Sequence, residues 1–366
     1  MLVVLSGCGH RKTDALSPAL NEIQFIGSHN SYKQAIEPAL LQQVASENPT
    51  LADSLEYSHI PLPDQLDLGL RNLELDLYYD PEGGRYASPL GLRLATTAEA
   101  FDPKGRMKLP GFKVLHVQDL DFRSSCLTLA DCLAQLKHWS ELHSQHSPIV
   151  VTVNAKDEVI ERPGFVRPLA FDAQAWNALD AALKAGLGQR IYSPDELRGG
   201  EATLMDAIRN KGWPELAALE GRFLFVLDEP PPKLASYLDR ESRPVMFVNA
   251  EPGTTGAAIR IINDPLVRFE DIQNSVEQGL LVRTRADADT VEARSSDTSR
   301  RDAAFASGAQ IVTTDYYIPA TGWRNAPGTG YVVTLPHGGF TGNLVWRCNP
   351  VTAQESCMNR VAQASE

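Results

Sequence analysis

A chain of 366 residues with 34 Lys and Arg against 46 Asp and Glu carries a formal charge of −12, which excludes a nucleic-acid partner held along a basic stripe. Hydrophobic residues make up 43% and charged residues 22%, the balance of a globular protein with a large core. No apolar run is long enough to span a bilayer, and an anionic substrate must be held by a few local cations or by a metal.

The chain opens with Leu5-Ser6-Gly7-Cys8, which resembles a bacterial lipobox preceded by an apolar run of only about five residues. Residues 1–20 are therefore expected to be a tail with a remnant lipoprotein signal and a candidate lipid anchor at Cys8. The other four cysteines form two close pairs, Cys126 with Cys132 and Cys348 with Cys357. Neither pair has Cys-x-x-Cys spacing or the nearby histidine pair of a zinc site. Local disulfides in an oxidising compartment are the preferred reading, and buried thiols are the alternative.

From Glu22 onward, strand-like and helix-like segments alternate, the pattern of a parallel sheet covered by helices. The first strand, Glu22–Gly27, runs into Ser28-His29-Asn30-Ser31-Tyr32, where a loop histidine beside a carboxamide can serve proton transfer and hard-cation binding. Helices are expected at Pro38–Ser46 and, as a turn, at Leu62–Leu68. The second strand, Arg71–Tyr78, alternates: Leu73, Leu75 and Leu77 share one face, while Asn72, Glu74 and Asp76 share the other. Residues 80–110 form a polar insertion, and Phe101, Met107, Leu109 and Phe112 in or beside it are candidates for peripheral membrane contact. Phe112–Val117 reads as the third strand, with His116 at its end, and Leu127–His143 as a helix. Pro148–Asn154 is a buried strand leading to Lys156 and Asp157, and Ala173–Ala185 is a helix. Further strands are Arg222–Leu227, Val245–Asn249, Leu280–Arg285 and Ala309–Thr314, with a helix at Ser296–Ala306.

Eight strands over residues 21–320 predict an α/β fold, a TIM-type (β/α)8 barrel whose site lies at the C-terminal strand ends. Those ends carry His29, Glu74, Asp76, His116, Asn154, Asp228, Asn249, Arg285 and Asp315. Residues 321–366 read as a small β-rich extension held by Cys348 and Cys357. His59, His138, His143 and His146 have no strand-end placement and read as surface residues, and His337 as a turn residue.

Three ordered segments, Gly27-Ser28-His29-Asn30-Ser31-Tyr32, Arg71-Asn72-Leu73-Glu74-Leu75-Asp76 and Val114-Leu115-His116, resemble the phosphatidylinositol-specific phospholipase C-like phosphodiesterases, most closely their bacterial calcium-dependent branch. The resemblance implies a monomeric phosphodiesterase acting on phosphoinositides or related glycerol-linked phosphodiesters by attack of an inositol 2-hydroxyl on the neighbouring phosphate. It implies His29 and His116 as the acid/base pair, with His29 stabilising the phosphorane and protonating the leaving group. Ca2+ is the implied cofactor, with Asn30, Glu74, Asp76 and Asn154 as ligands and Asp157 as an alternative to Asn154. A buried ion pair with Arg71 or Lys156 is the competing reading of Glu74 and Asp76.

Lys156, Arg283 and Arg285 are candidates for holding phosphate; the two arginines serve equally well to neutralise Asp287, Asp289 or Glu292. Asp315 and Tyr317 are candidates for contact with sugar hydroxyls or the inositol ring. Two other readings stand beside this one. Glycerophosphodiester phosphodiesterases share the barrel and the Glu-x-Asp strand, but follow the first histidine with Arg-Gly where this chain has Asn30-Ser31. A binding protein that kept the barrel and lost turnover would be expected to have lost one of His29, His116, Glu74 or Asp76.

Overall fold

The computed structural model describes residues 17–93, 100–320, 328–336, 345–353 and 357; Cys8 and His337 lie outside them. Its strands are β1 (Ile23–Ser28), β2 (Asn72–Asp80), β3 (Gly111–Val114), β4 (Ile149–Ala155), β5 (Phe223–Leu227), β6 (Phe247–Val248), β7 (Ile259–Ile261), β8 (Leu281–Arg285), β9 (Ile311–Thr314) and β10 (Arg347–Cys348). Eight of them run parallel in the order β6-β5-β4-β2-β1-β9-β8-β7. One parallel bridge, Asn249 to Ile259, joins the two ends of that order. The result is a nearly closed TIM-type barrel whose weakest seam lies between its two shortest strands.

The alternation read from the sequence sets the layers. Leu73, Leu75 and Leu77 point outward with Ile149, Val151 and Val153, and pack against Leu133, Leu136 and Trp139 of the helix Leu129–Leu142 and Trp176, Leu179 and Leu183 of the helix Ala173–Leu187. Both helices start at side-chain caps: Thr128 Oγ1 accepts from the Asp131 amide at 3.1 Å, and Asp172 Oδ1 from the Ala175 amide at 2.9 Å. Inside the barrel, Phe25, Val150, Leu224, Phe247, Leu281 and Ile311 form an apolar plug. Each such side chain, moved from water to the core, contributes about 1.5–3 kcal/mol. Above the plug, the inward positions turn polar, and there the cavity begins.

Strand membership differs from the sequence expectation at one place. The segment expected as the third barrel strand pairs antiparallel with the far end of β2, Leu77 opposite Val114 and Asp80 opposite Gly111. It therefore stands beside the barrel wall. The vacated place belongs to β7, whose three residues are too few to display a two-residue period. The apolar residues of the insertion also turn inward: Met107 and Phe112 are buried, Phe101 packs edge-on to Phe122, and Leu109 alone of the four is exposed.

In the C-terminal extension, Tyr331, Val333 and Leu335 pack on Tyr316 and Tyr317 without forming a strand. The two-residue β10 pairs antiparallel with Ile23 and Gln24. Both cysteine pairs are disulfide-bonded, Cys126 to Cys132 and Cys348 to Cys357. His59 and His146, expected on the surface, are buried. His146 holds the Ser140 hydroxyl at 2.9 Å through Nε2 and the Ser147 carbonyl at 2.8 Å through Nδ1.

Candidate active site

All the predicted site residues except Asp315 and Tyr317 line one cavity of about 280 Å3 at the C-terminal mouth of the barrel. Strand geometry explains the convergence. The inward alternation of β2 presents Glu74 and Asp76, and the β2–β4 register sets Asp76 directly opposite Asn154. The same alternation on β8 presents Arg283 and Arg285. At the end of β1 the backbone turns through a left-handed Asn30, φ 47°, a conformation that asparagine tolerates better than most residues.

His29 Nδ1 stands 3.1 Å from Asp315 Oδ1, while Nε2 faces Arg285 Nη1 at 3.5 Å and Glu74 Oε1 at 3.8 Å. Arginine only donates, so Nε2 is the lone-pair nitrogen and Nδ1–H donates to Asp315. Burial, then the charge of Arg285, pulls the imidazole pKa down to about 3 against the opposing pull of Asp315, which leaves a neutral ring at neutral pH. Asp315 itself is a buried carboxylate. Burial alone would raise its pKa, but His29, His59 and Arg285 hold it well below the usual range.

Asp315 and Tyr317 were expected to touch substrate, and the structure places both behind His29. His59 Nε2 lies 3.4 Å from Asp315 Oδ1, and the Tyr317 hydroxyl lies 3.2 Å from His59 Nδ1 with the two rings stacked at 5.5 Å. Both residues are buried, because the chain after β9 turns under the histidine loop instead of facing the mouth. The sequence expectation therefore missed His59 altogether.

His116 is supported in the same manner. Its Nδ1 lies 2.8 Å from Asp121 Oδ2, and Lys33 Nζ stands 3.3 Å from that oxygen. Lys33 is buried and donates to the carbonyls of Leu55 and Tyr57 at 2.9 and 2.7 Å. Asp121 lies only five residues beyond His116, and this short spacing was the one signal in the sequence that pointed to it. Each imidazole thus ties Nδ1 to a buried carboxylate, leaving Nε2 for the cavity.

The oxygen donors meet the chemistry of a hard cation. Asn30 Nδ2 donates to the Tyr57 hydroxyl at 2.8 Å, so its Oδ1 is the atom left for a ligand. Asn154 Nδ2 donates to both Glu74 Oε1, at 3.0 Å, and Asp76 Oδ1, at 3.2 Å. Those two carboxylate oxygens therefore converge on one point, as a shared cation requires, and the partial positive charge of an amide NH2 marks that point. The remaining oxygens are paired: Arg283 donates to Glu74 Oε2, and Lys156 stands 3.4 Å from Asp76 Oδ2. Burial raises the Glu74 pKa to about 7, with Arg283 pulling the other way. Of the two roles open to the arginines, Arg283 takes an ion pair with Glu74, while Arg285 binds Asp315 at 3.3 Å and the Asp287 carbonyl at 2.9 Å.

A family model described as "Phosphoinositide phospholipase C, Ca2+-dependent" matches residues 19–350. The fold is similar to that of a calcium-dependent phosphoinositol-specific phospholipase C from a Gram-negative Pseudomonas species, at 17% identity and TM-score 0.53 over 87% of this chain and 96% of that one. It is also similar to a Ca2+-dependent phosphatidylinositol-specific phospholipase C from Streptomyces antibioticus, at 18% identity and TM-score 0.50 over 82% of this chain and 96% of that one. At such identities the likeness shows the fold. No curated protein sequence matches the chain significantly. The family model spans nearly the whole barrel and both histidine loops, and the chain belongs to the Ca2+-dependent phosphoinositide phospholipase C family.

Proposed function

We propose that the chain is a Ca2+-dependent phosphodiesterase of the phospholipase C type, cleaving the glycerol–phosphate bond of phosphoinositides by attack of the inositol 2-hydroxyl on its neighbouring phosphate. The observation that carries this reading is that His29 and His116, each with Nδ1 tied to a buried carboxylate, line one small cavity together with Asn30, Glu74 and Asp76. His29, neutral and with a lone pair on Nε2, accepts the hydroxyl proton, and Asp315 stabilises the imidazolium that results. His116 then donates a proton to the departing glycerol oxygen. This reverses the part that the family resemblance implies for His29, because burial and Arg285 disfavour a protonated ring at rest.

Asn30 Oδ1, Glu74 and Asp76 would hold the cation, with Asn154 joining through a rotated amide. Asp157 is committed to Lys233, at 2.7 Å, and to the Phe171 amide, at 3.2 Å, which supports Asn154 over Asp157 as the fourth ligand. Bound Ca2+ would lower the pKa of the attacking hydroxyl and offset charge on the phosphoryl oxygens. Lys156 and Arg285 add positive charge at the phosphate. Two disulfides support a site of action outside the cytoplasm.

Phosphorus NMR of phosphatidylinositol and glycerophosphocholine, each with and without Ca2+, tests the reading. The expected product is a cyclic inositol phosphate, formed only with Ca2+. Release of sn-glycerol 3-phosphate from glycerophosphocholine would favour a glycerophosphodiesterase instead. Folded His29→Ala and His116→Ala variants should each lose about 10²–10⁴-fold in turnover.

A further inference from the structure

A second and larger cavity, of about 1100 Å3, adjoins the catalytic one; its size is that of cavities holding whole small molecules. Its origin is a missing helix. Residues 249–258 connect β6 to β7 without one, whereas a helix lies between every other pair of barrel strands consecutive in the chain. Only this connection covers the outer side of the β6–β7 seam, where Val248 and Ile262 are buried. Leu234 and Leu238 of the helix Pro231–Leu238 form one wall, and Phe247, Val248, Ile261 and Ile262 form the other. Phe247 belongs to the apolar plug and Val248 to the outer layer, so the cavity enters the seam where the strands meet only at Asn249 and Ile259.

Two features connect this space to the reaction. Asp228 and Glu229 line both cavities, and Asp228 accepts from Asn249 at 2.8 Å while standing 3.9 Å from Arg283. The partition is made of side chains at the end of β5, beside the catalytic arginine layer. At the lip, the loop after β7 exposes Leu266 by 51% and Val267 by 78%, next to the cavity-lining Arg268. Exposed apolar side chains therefore stand on the C-terminal face of the barrel beside a cavity of mixed lining, in which the apolar side chains run between charged groups paired with one another, Asp195 with Arg198 and Arg243, and Glu251 with Arg260. The catalytic cavity is small and walled by charged and amide groups, and offers no place for hydrocarbon.

We propose that the larger cavity receives an acyl chain of the diacylglycerol moiety while the phosphoinositol head occupies the catalytic cavity. The proposal rests on the phospholipase C reading and extends it to the lipid half of the substrate. Each methylene moved from water into the cavity should tighten binding by up to about fourfold.

The test uses two exposed lining residues, Ala235 of the helix Pro231–Leu238 and Thr255 of the β6–β7 connection, replaced as Ala235→Trp and Thr255→Trp, neither being part of the catalytic machinery. Calorimetry with monomeric 1,2-dihexanoylglycerol and 1,2-diacetylglycerol reads the cavity by itself. The expected result is chain-length-dependent binding to the wild type that falls at least about tenfold in both variants. Turnover of glycerophosphoinositol, which has no acyl chain, reads the catalytic assignment by itself and should match the wild type in both variants, whereas turnover of dihexanoyl phosphatidylinositol should fall. Binding that ignores chain length, or that survives both tryptophans, overturns the proposal. Failure to turn over either substrate overturns the catalytic reading and leaves the binding result to stand or fall alone.

Discussion

The two imidazoles proposed as acid and base are set by what lies behind them. Asp315 fixes the tautomer of His29, and an asparagine there can turn its NH2 toward Nδ1 and force the proton onto Nε2. Asp315→Asn should therefore lower kcat by about 10²–10⁴-fold with KM little changed. His59 touches Asp315 but lines no part of the catalytic cavity, and His59→Phe should cost less, about tenfold. Steady-state kinetics on both variants checks this order, and an Asp315→Asn enzyme with near-normal kcat would remove the tautomer argument. His29, Asn30, Glu74, Asp76 and His116 were legible in the sequence because a period of two shows which strand residues share a face and a recognisable motif marks the loops. His59 and Lys33 were not. Their partners, Asp315, Tyr317 and Asp121, lie far along the chain, and no local pattern records a contact made only by folding.

Two strands approach closely where the site begins. Gly27 faces Asn72 across β1 and β2, the one register pair between these strands, and a Cβ on Gly27 would sit 2.4 Å from the Asn72 Cβ and 2.8 Å from its carbonyl oxygen. Gly27→Ala must push the strands apart, so it should cost about 1–3 kcal/mol in urea unfolding and lower activity by displacing His29 from Glu74; an unchanged midpoint and rate would show that the strands have slack. The helix Leu129–Leu142 carries a separate pH dependence through His146, which grips Ser140 near that helix's end. Burial lowers the His146 pKa from 6.5 to about 4, so the unfolded chain binds more protons across that interval. Its contribution is intact above pH 6.5 and is lost as pH falls toward 4, about 1.4 kcal/mol per unit. The stability gap between wild type and His146→Gln should narrow by about 1–2 kcal/mol from pH 7 to pH 5; a constant gap would refute the assignment. Strand number was readable from the sequence, strand membership less so. β3 has good strand composition but pairs antiparallel outside the wall, and β7 is three residues defined by its neighbours and not by its own pattern.

On the proposed function, the molecule as a whole brings a net charge of −12 to a lipid substrate that is itself anionic. That charge disfavours long-range attraction to an anionic bilayer, and we propose apolar insertion as the source of contact. In the insertion at 80–110, Met107 is buried and Leu109 is the one large apolar side chain exposed among the described residues. The loops that follow β4 and β7 are the surface proposed for it, since all barrel strands are parallel and both loops lie on the face that holds the candidate site. They expose Val159, Ile160, Leu266 and Val267. Leu266→Ser with Val267→Ser should weaken sedimentation with phosphatidylcholine vesicles by about tenfold or more, each full side-chain burial being worth about 1.5–3 kcal/mol. Glycerophosphoinositol turnover should be unchanged in the same protein. Adding phosphatidylserine to the vesicles should loosen binding of the wild type, and the effect should fade as salt shortens the Debye length. Tighter binding to the anionic vesicles, or a double variant that sediments like the wild type, would mean that another surface meets the membrane.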